Sequence, residues 1–258
     1  NGLDFFNPKK QKGFLRSLMI RNSNRREFMV LLQFFKENKP QREGLLKHLK
    51  KHFDIASLLY CINNKANDTL YDQEIICYSG KTYIREEMEG LSFKINAKSF
   101  FQTNTEQAYE LYKIARNFAG LKGEDLVYDL YTGTGTIAQF ISKDCAKVVG
   151  VESIPEAIEA ARTNADENGI KNTFFEVGDM RDVFNQDFIN RHGKANVVIT
   201  DPPRNGMHPD VVKQLLFLEP YLNIQDSLIY LYHYIPQLKK DTHILLRNLI
   251  VKKVIHVP

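Results

Sequence analysis

The chain has no tryptophan and only three cysteines in 258 residues. Cys61, Cys77 and Cys145 are odd in number and far apart, which excludes a complete disulfide framework and any paired cysteine metal motif, so three reduced structural thiols and no bound metal are expected. No apolar run approaches the roughly 20 residues needed to cross a bilayer, and no apolar signal-peptide centre opens the chain; a cytoplasmic protein without a membrane partner is expected. Internal repeats and low-complexity stretches are also missing. The chain starts at Asn1 and not at Met, and neither end carries a tail, so a fragment of a longer protein is expected; a monomer is a separate expectation, with no residue pattern behind it. With 43% hydrophobic residues, what is present can bury a core in one large or two modest domains.

Charge divides the chain. Residues 1–97 hold 17 Lys and Arg against 11 Asp and Glu, whereas residues 98–258 hold 18 against 20. Between Lys9 and Lys51, 13 basic residues face three acids. Such a field favours a polyanion, with Arg16, Arg21, Arg25 and Arg26 as candidate contacts and Phe14, Phe28, Phe34 and Phe35 interleaved among them. The same alternation also suits a solvated sheet face over core aromatics.

Periodicity places the elements. Phe14–Arg21 and Glu27–Phe34 are strand-like runs joined by the turn Asn22-Ser-Asn-Arg25, and Gln41–His52 has helical spacing at Leu45, Leu46 and Leu49. Strands follow at Ser57–Ile62, Glu74–Tyr78 and Leu91–Ile95, so residues 1–97 read as a small α+β domain with a predominantly antiparallel sheet. Residues 98–258 alternate strand and helix. Strands at Leu126–Leu130, Lys147–Glu152, Thr173–Val177, Val197–Thr200 and Leu228–Tyr232, with helices between, predict a Rossmann-like, doubly wound, parallel α/β sheet. Its ligand crevice must lie at the strands' carboxyl ends.

Chemistry-bearing residues fall at that rim. Val127-Tyr-Asp-Leu-Tyr-Thr-Gly-Thr-Gly-Thr136 runs from a buried strand into a glycine turn, and Glu152 ends the next strand. An acid about 20 residues after such a turn can accept both hydroxyls of a ribose. A D-L-x-x-G-x-G turn without a third glycine suits S-adenosylmethionine better than a dinucleotide, because that cofactor has no pyrophosphate to cradle; Asp129 could face its cationic end. Asp179 could accept from the adenine amino group, and Tyr131 could cover the cofactor's edge. Asp201-Pro-Pro-Arg204 is a turn stiffened by two prolines, of the kind used against planar nitrogen bases, or an ordinary rigid strand exit.

Taken in order, Phe100-Phe-Gln-Thr-Asn104, Asp129-Leu-Tyr-Thr-Gly-Thr-Gly135, Val151-Glu152, Gly178-Asp-Met180 and Asp201-Pro-Pro-Arg-Asn-Gly-Met-His208 resemble successive motifs of the RNA (uracil-5-)-methyltransferase family. Gly13-Phe-Leu-Arg16, Asn67-Asp68, Tyr71-Asp-Gln73 and Glu87-Met-Glu-Gly90 are similar to that family's central domain. The resemblance implies an S-adenosylmethionine-dependent RNA methyltransferase acting on ribosomal or transfer RNA. Gln102, Asp129, Tyr131, Gly133, Gly135, Thr136, Glu152, Asp179 and Asp201 would form the cofactor and base site, with Phe100 either stacking on an unpaired base or filling core.

The family's chemistry needs a thiolate that adds at carbon 6 of uracil and a base that removes the carbon 5 proton. This chain departs from both. Leu231-Tyr-His-Tyr-Ile-Pro-Gln-Leu238 stands where the cysteine turn is expected, so His233 takes the nucleophile's column, through a frame shift or through degeneration. Imidazole is no established substitute for that thiolate. Asp201 and Arg204 are the other catalytic candidates, Arg204 able to engage a phosphate or carboxylate. The family's N-terminal oligonucleotide-binding barrel, the iron–sulfur segment of some relatives and the catalytic glutamate are expected to lie outside this chain, and no iron–sulfur cluster is expected in it. Two alternatives stand beside the uracil-5 enzyme: a cofactor- and RNA-binding module without the nucleophile, and a methyltransferase for an exocyclic amino group.

Overall fold

Alternating apolar residues in the first third of the chain build a sheet covered on both faces. The computed structural model describes residues 2–203, 206–218, 228–233 and 253–257, the last two stretches by their backbone. They form two units: Asn1–Glu87 with Ser92–Phe101, and Met88–Leu91 with Gln102–Pro258.

In the first unit, β1 (Leu15–Asn22) pairs antiparallel with β2 (Phe28–Phe34). Helix α1 (Lys39–His52) then carries the chain to β3 (Ser57–Ile62), which therefore runs parallel to β2, and β4 (Ile76–Gly80) adds on antiparallel. The expected antiparallel sheet thus contains one parallel pairing, because a helix and not a hairpin connects those two strands. Along β2, Val30, Leu32 and Phe34 pack with Phe14 and Leu46 of α1, while Met29 and Leu31 pack with Ile84 and Ile95. The latter two belong to β5 (Tyr83–Met88) and β6 (Leu91–Asn96), a separate two-stranded sheet. The sequence reading missed β5, whose run of Arg85, Glu86 and Glu87 looks like solvent; Glu86 is buried and accepts from Asn24 N–H at 3.1 Å.

In the same unit two of the expected RNA contacts, Arg16 and Arg21, are engaged within the protein. Arg16 has a side chain only 1% exposed. Its guanidinium donates to the carbonyls of Asn63, Lys65 and Asn67 at 2.9, 2.6 and 2.7 Å and to Asp68, and lies 4.6 Å from the Phe6 ring centre. It is the internal prop of that loop. Arg21 donates to the carbonyls of Ser99 and Asn96 at 2.7 and 3.3 Å, and burial lowers its pKa. Arg25 and Arg26 lie at the exposed β1–β2 turn, Arg25 paired with Glu87 at 2.9 Å and Arg26 in the left-handed region at φ +62°.

The second unit opens with α2 (Thr105–Ala119), capped by Asn104, whose side chain accepts from Gln107 N–H, and ended by Gly120 at φ +56°. A six-stranded sheet follows in the order β12-β11-β10-β7-β8-β9, every pairing parallel. Its strands are β7 (Leu126–Leu130), β8 (Lys147–Glu152), β9 (Thr173–Val177), β10 (Val197–Thr200), β11 (Leu228–His233) and β12 (Lys253–Val257). Between them lie α3 (Thr136–Ile141), α4 (Pro155–Glu167), α5 (Met180–Val183), α6 (Gln186–His192) and α7 (Pro209–Leu218). The four expected strands from β7 to β10 form as read; β12, α5 and α6 were not anticipated. Tyr128, Val149, Val151, Phe184, Phe188 and Leu215 lie in one core cluster of this unit. Cys61 and Cys145 are buried and Cys77 is half-buried, and burial pushes the thiols of the first two up to about 11 and about 12.

Candidate functional site

The carboxyl ends of β7 to β10 bring most of the anticipated residues together. Chain direction reverses sharply after Leu130: Tyr131, Gly133 and Gly135 all take positive φ, at +64°, +55° and +73°. A Cβ on Gly133 would meet nothing within 4 Å, so its backbone faces open space. At Gly135 a Cβ would lie 2.8 Å from Phe175 and 2.9 Å from Ala161, and at Gly150 it would lie 2.8 Å from Phe175 and from Thr132. The two glycines let the turn pack against its neighbouring strands, whereas Gly133 leaves room for a ligand.

Asp129 lies beneath this turn, fully buried. Its Oδ2 accepts from Thr132 Oγ1 at 2.5 Å and from Ala138 N–H at 3.1 Å, tying β7 to the start of α3. Its Oδ1 is buried and has no hydrogen-bond partner among the described residues. Burial pushes this carboxyl up to about 7; Asp201 and Glu152 add to the rise, and the bonds from Thr132 and Ala138 oppose it. Thr136, the first residue of α3, is buried with its hydroxyl 3.3 Å from that of Thr134.

Glu152 closes β8. Oε2 accepts from Gly133 N–H at 3.2 Å, and Oε1 accepts from Ser153 N–H, the Ser153 hydroxyl and Ile154 N–H at 2.7, 2.9 and 3.1 Å. The acid is thereby locked across the mouth of the glycine turn. Asp179 follows β9, and Arg181 holds its carboxyl well below the usual range, at about 2. Asp201 follows β10, half-buried, its N–H 3.4 Å from the Leu130 carbonyl at the end of β7.

A cleft of about 550 Å³ opens among these strand ends, lined by Tyr131, Ser153, Asp179, Arg181, Met207 and His208 among others. Tyr131 is half-buried there, and burial with the nearby acids pushes its phenol up to about 12. Arg181, Met207 and His208 were not singled out from sequence. His208 sits inside the Asp201-to-His208 motif, but Arg181 carries no signal beyond following Asp179 by two. Gln102 lies half-buried ahead of α2, and Phe100, in the first unit, is 69% exposed, while its neighbour Phe101 packs on the core there. Arg204 lies outside the described residues. The backbone of His233 ends β11, and its side chain is likewise outside what is described. None of Cys61, Cys77 and Cys145 lines the cleft. Among the described residues no group of His, Cys, Asp and Glu could hold a metal ion, and no helix is long and apolar enough to cross a membrane.

Comparison with known proteins adds to this geometry. The family described as methyltransferase domain matches residues 121–249. A Porphyromonas gingivalis protein named uncharacterized RNA methyltransferase is 56% identical over 217 residues, 84% of this chain and 47% of its own. A protein of the same name from Bacteroides thetaiotaomicron is 54% identical over 221 residues, 84% of this chain and 48% of its own. The chain therefore spans about half the length of the curated relatives it matches. Among solved structures, it is similar to Pyrococcus abyssi tRNA (uracil-54, C5)-methyltransferase in complex with S-adenosyl-L-homocysteine, with a TM-score of 0.68 and 33% identity over 84% of this chain and 51% of that one.

Proposed function

The chain belongs to the methyltransferase-domain family, and on that premise we propose that it is the central and catalytic part of an S-adenosylmethionine-dependent enzyme that methylates carbon 5 of a uridine in ribosomal or transfer RNA. The second unit has the Rossmann-like fold of S-adenosylmethionine-dependent methyltransferases. The observation that carries the uracil reading is the likeness, at 33% identity and a TM-score of 0.68, to a tRNA (uracil-54, C5)-methyltransferase.

The residues present fit the cofactor. Gly133 offers open backbone at the turn; among the described residues Glu152 Oε2 accepts one bond, from Gly133 N–H at 3.2 Å, which leaves a lone pair for ribose, and the buried Asp129 Oδ1 has no partner. When bound, the cofactor supplies an electrophilic methyl group on a sulfonium. Glu152 would orient the sugar, Tyr131 would cover one edge, Asp179 would accept from the adenine amino group and Asp201 would meet the target base. Gln102 and Thr136 complete this proposed set. Arg25 and Arg26, with the exposed Phe100, are the proposed RNA contacts of the first unit. The intact protein is proposed to work in the cytoplasm, as a monomer.

A second reading is supported by the thiols. Methylation at carbon 5 requires a thiolate at carbon 6, yet Cys61 and Cys145 are buried with raised pKa values and no cysteine lines the cleft. A module that binds cofactor and RNA without forming the covalent adduct would look like this. Incubation with S-adenosylmethionine and RNA containing 5-fluorouridine separates the two. The enzyme reading expects a covalent protein–RNA complex stable to denaturation; binding of both ligands without such a complex supports the module.

A further inference from the structure

Asp179 and Arg181 form a closed pair on the wall of the cleft. Oδ1 of Asp179 accepts from Arg181 N–H at 2.9 Å and from its Nε at 3.0 Å, while Oδ2 accepts from a terminal guanidinium nitrogen at 2.7 Å. A carboxylate offers about four acceptor positions. Among the described residues three are taken, all by Arg181, which leaves the fourth, on Oδ2. The planar fork also fixes the plane of a carboxylate that would otherwise rotate freely at a half-exposed site. Arg181 is itself anchored, its carbonyl accepting from Gln214 Nε2 of α7 at 2.5 Å. Both side chains line the same cleft as Tyr131.

Resting on the cofactor reading above, we propose that Arg181 is a positioning residue: it aims the one remaining acceptor position of Asp179 at the exocyclic amino group of a 6-aminopurine and so makes the site selective for adenosyl over inosyl ligands. An ionised carboxylate has no proton to donate. Against a 6-oxo purine it would set oxygen against oxygen, leaving both unsatisfied, whereas a 6-amino group donates directly. A lysine at this position would supply charge without the fork that sets the carboxylate plane.

Isothermal titration of the full chain with S-adenosyl-L-homocysteine and with its deaminated analogue S-inosyl-L-homocysteine tests this. The unsubstituted protein is expected to prefer the adenosyl ligand by about tenfold or more. Arg181→Met should bring that ratio to within about threefold, and Arg181→Lys should recover only part of it. Asp179→Asn, whose amide can donate to a 6-oxo group, should move the preference toward the inosyl ligand. The ratio is read on folded protein alone, so a loss of folded fraction does not imitate the effect. An unchanged ratio in Arg181→Met overturns the proposal and leaves the cofactor reading intact; failure of the unsubstituted chain to bind S-adenosyl-L-homocysteine overturns both.

Discussion

At the scale of single residues, Asp129 is the group whose charge the fold alters most among those at the site. Its ordinary value of 3.8 rises to about 7 because the carboxyl is fully buried beside two other acids. Folding therefore favours its protonated form. This contribution is fully present below about pH 4 and is lost as pH climbs through 7, a span worth about 4 kcal/mol as an order of magnitude. Asp129→Asn keeps an acceptor for Thr132 and Ala138 without the titration. Urea denaturation of both proteins between pH 4.5 and about 7.5 should show the unsubstituted chain losing stability relative to the variant as pH rises; a difference flat with pH would contradict the assignment. Asp129 was legible in the sequence as an acid ahead of a glycine turn, but its burial was not. Arg16 makes the same point in reverse: it reads as one more cation in a basic run, yet a loop about 50 residues further on encloses it.

At the scale of elements, the glycine turn is the join on which the site depends. Gly135 combines φ +73° with a Cβ position 2.8–2.9 Å from Phe175 and Ala161, whereas Gly133, at φ +55°, faces open space. Gly135→Ala is expected to destabilise the protein by about 2–4 kcal/mol, from strain and overpacking together. Gly133→Ala, with strain alone, should cost only about 1–2 kcal/mol. Equilibrium unfolding of the two variants checks the order, and equal losses would show that the contact with Phe175 is not the cause. The strands bearing the site were readable because a fully buried parallel strand is a short apolar run bounded by turn residues. The charged β5 was not, because its buried Glu86 is compensated by Asn24, a partner distant in sequence. The parallel pairing of β2 with β3 follows from the helix α1 that connects them, an element whose spacing was legible but whose effect on strand direction appears only in the assembled sheet.

At the scale of the molecule, the basic excess lies in residues 1–97 and the site acids lie in the second unit. If the first unit meets RNA through its exposed β1–β2 turn, replacing both Arg25 and Arg26 with serine should flatten the dependence of log affinity on log salt by up to about two phosphate contacts. Fluorescence anisotropy with a labelled single-stranded RNA across a salt series measures this, and an unaltered slope would remove the turn from the interface. The amino-acid sequence by itself determined the order of strand-end acids, the turn between Tyr131 and Thr136 and the proline-stiffened exit at Asp201, because glycine conformation, strand periodicity and proline rigidity act within a few residues. Only the tertiary structure decided that Arg16 is a prop, that Asp129 is proton-binding near neutrality and that Arg181 clamps Asp179 while Gln214 holds its carbonyl. The burial of Asp129, the enclosure of Arg16 and the Gln214 contact come from desolvation and from packing between segments remote in the chain. The Asp179–Arg181 clamp, by contrast, spans two positions and is set by the geometry of the turn after β9, which residue type alone does not give.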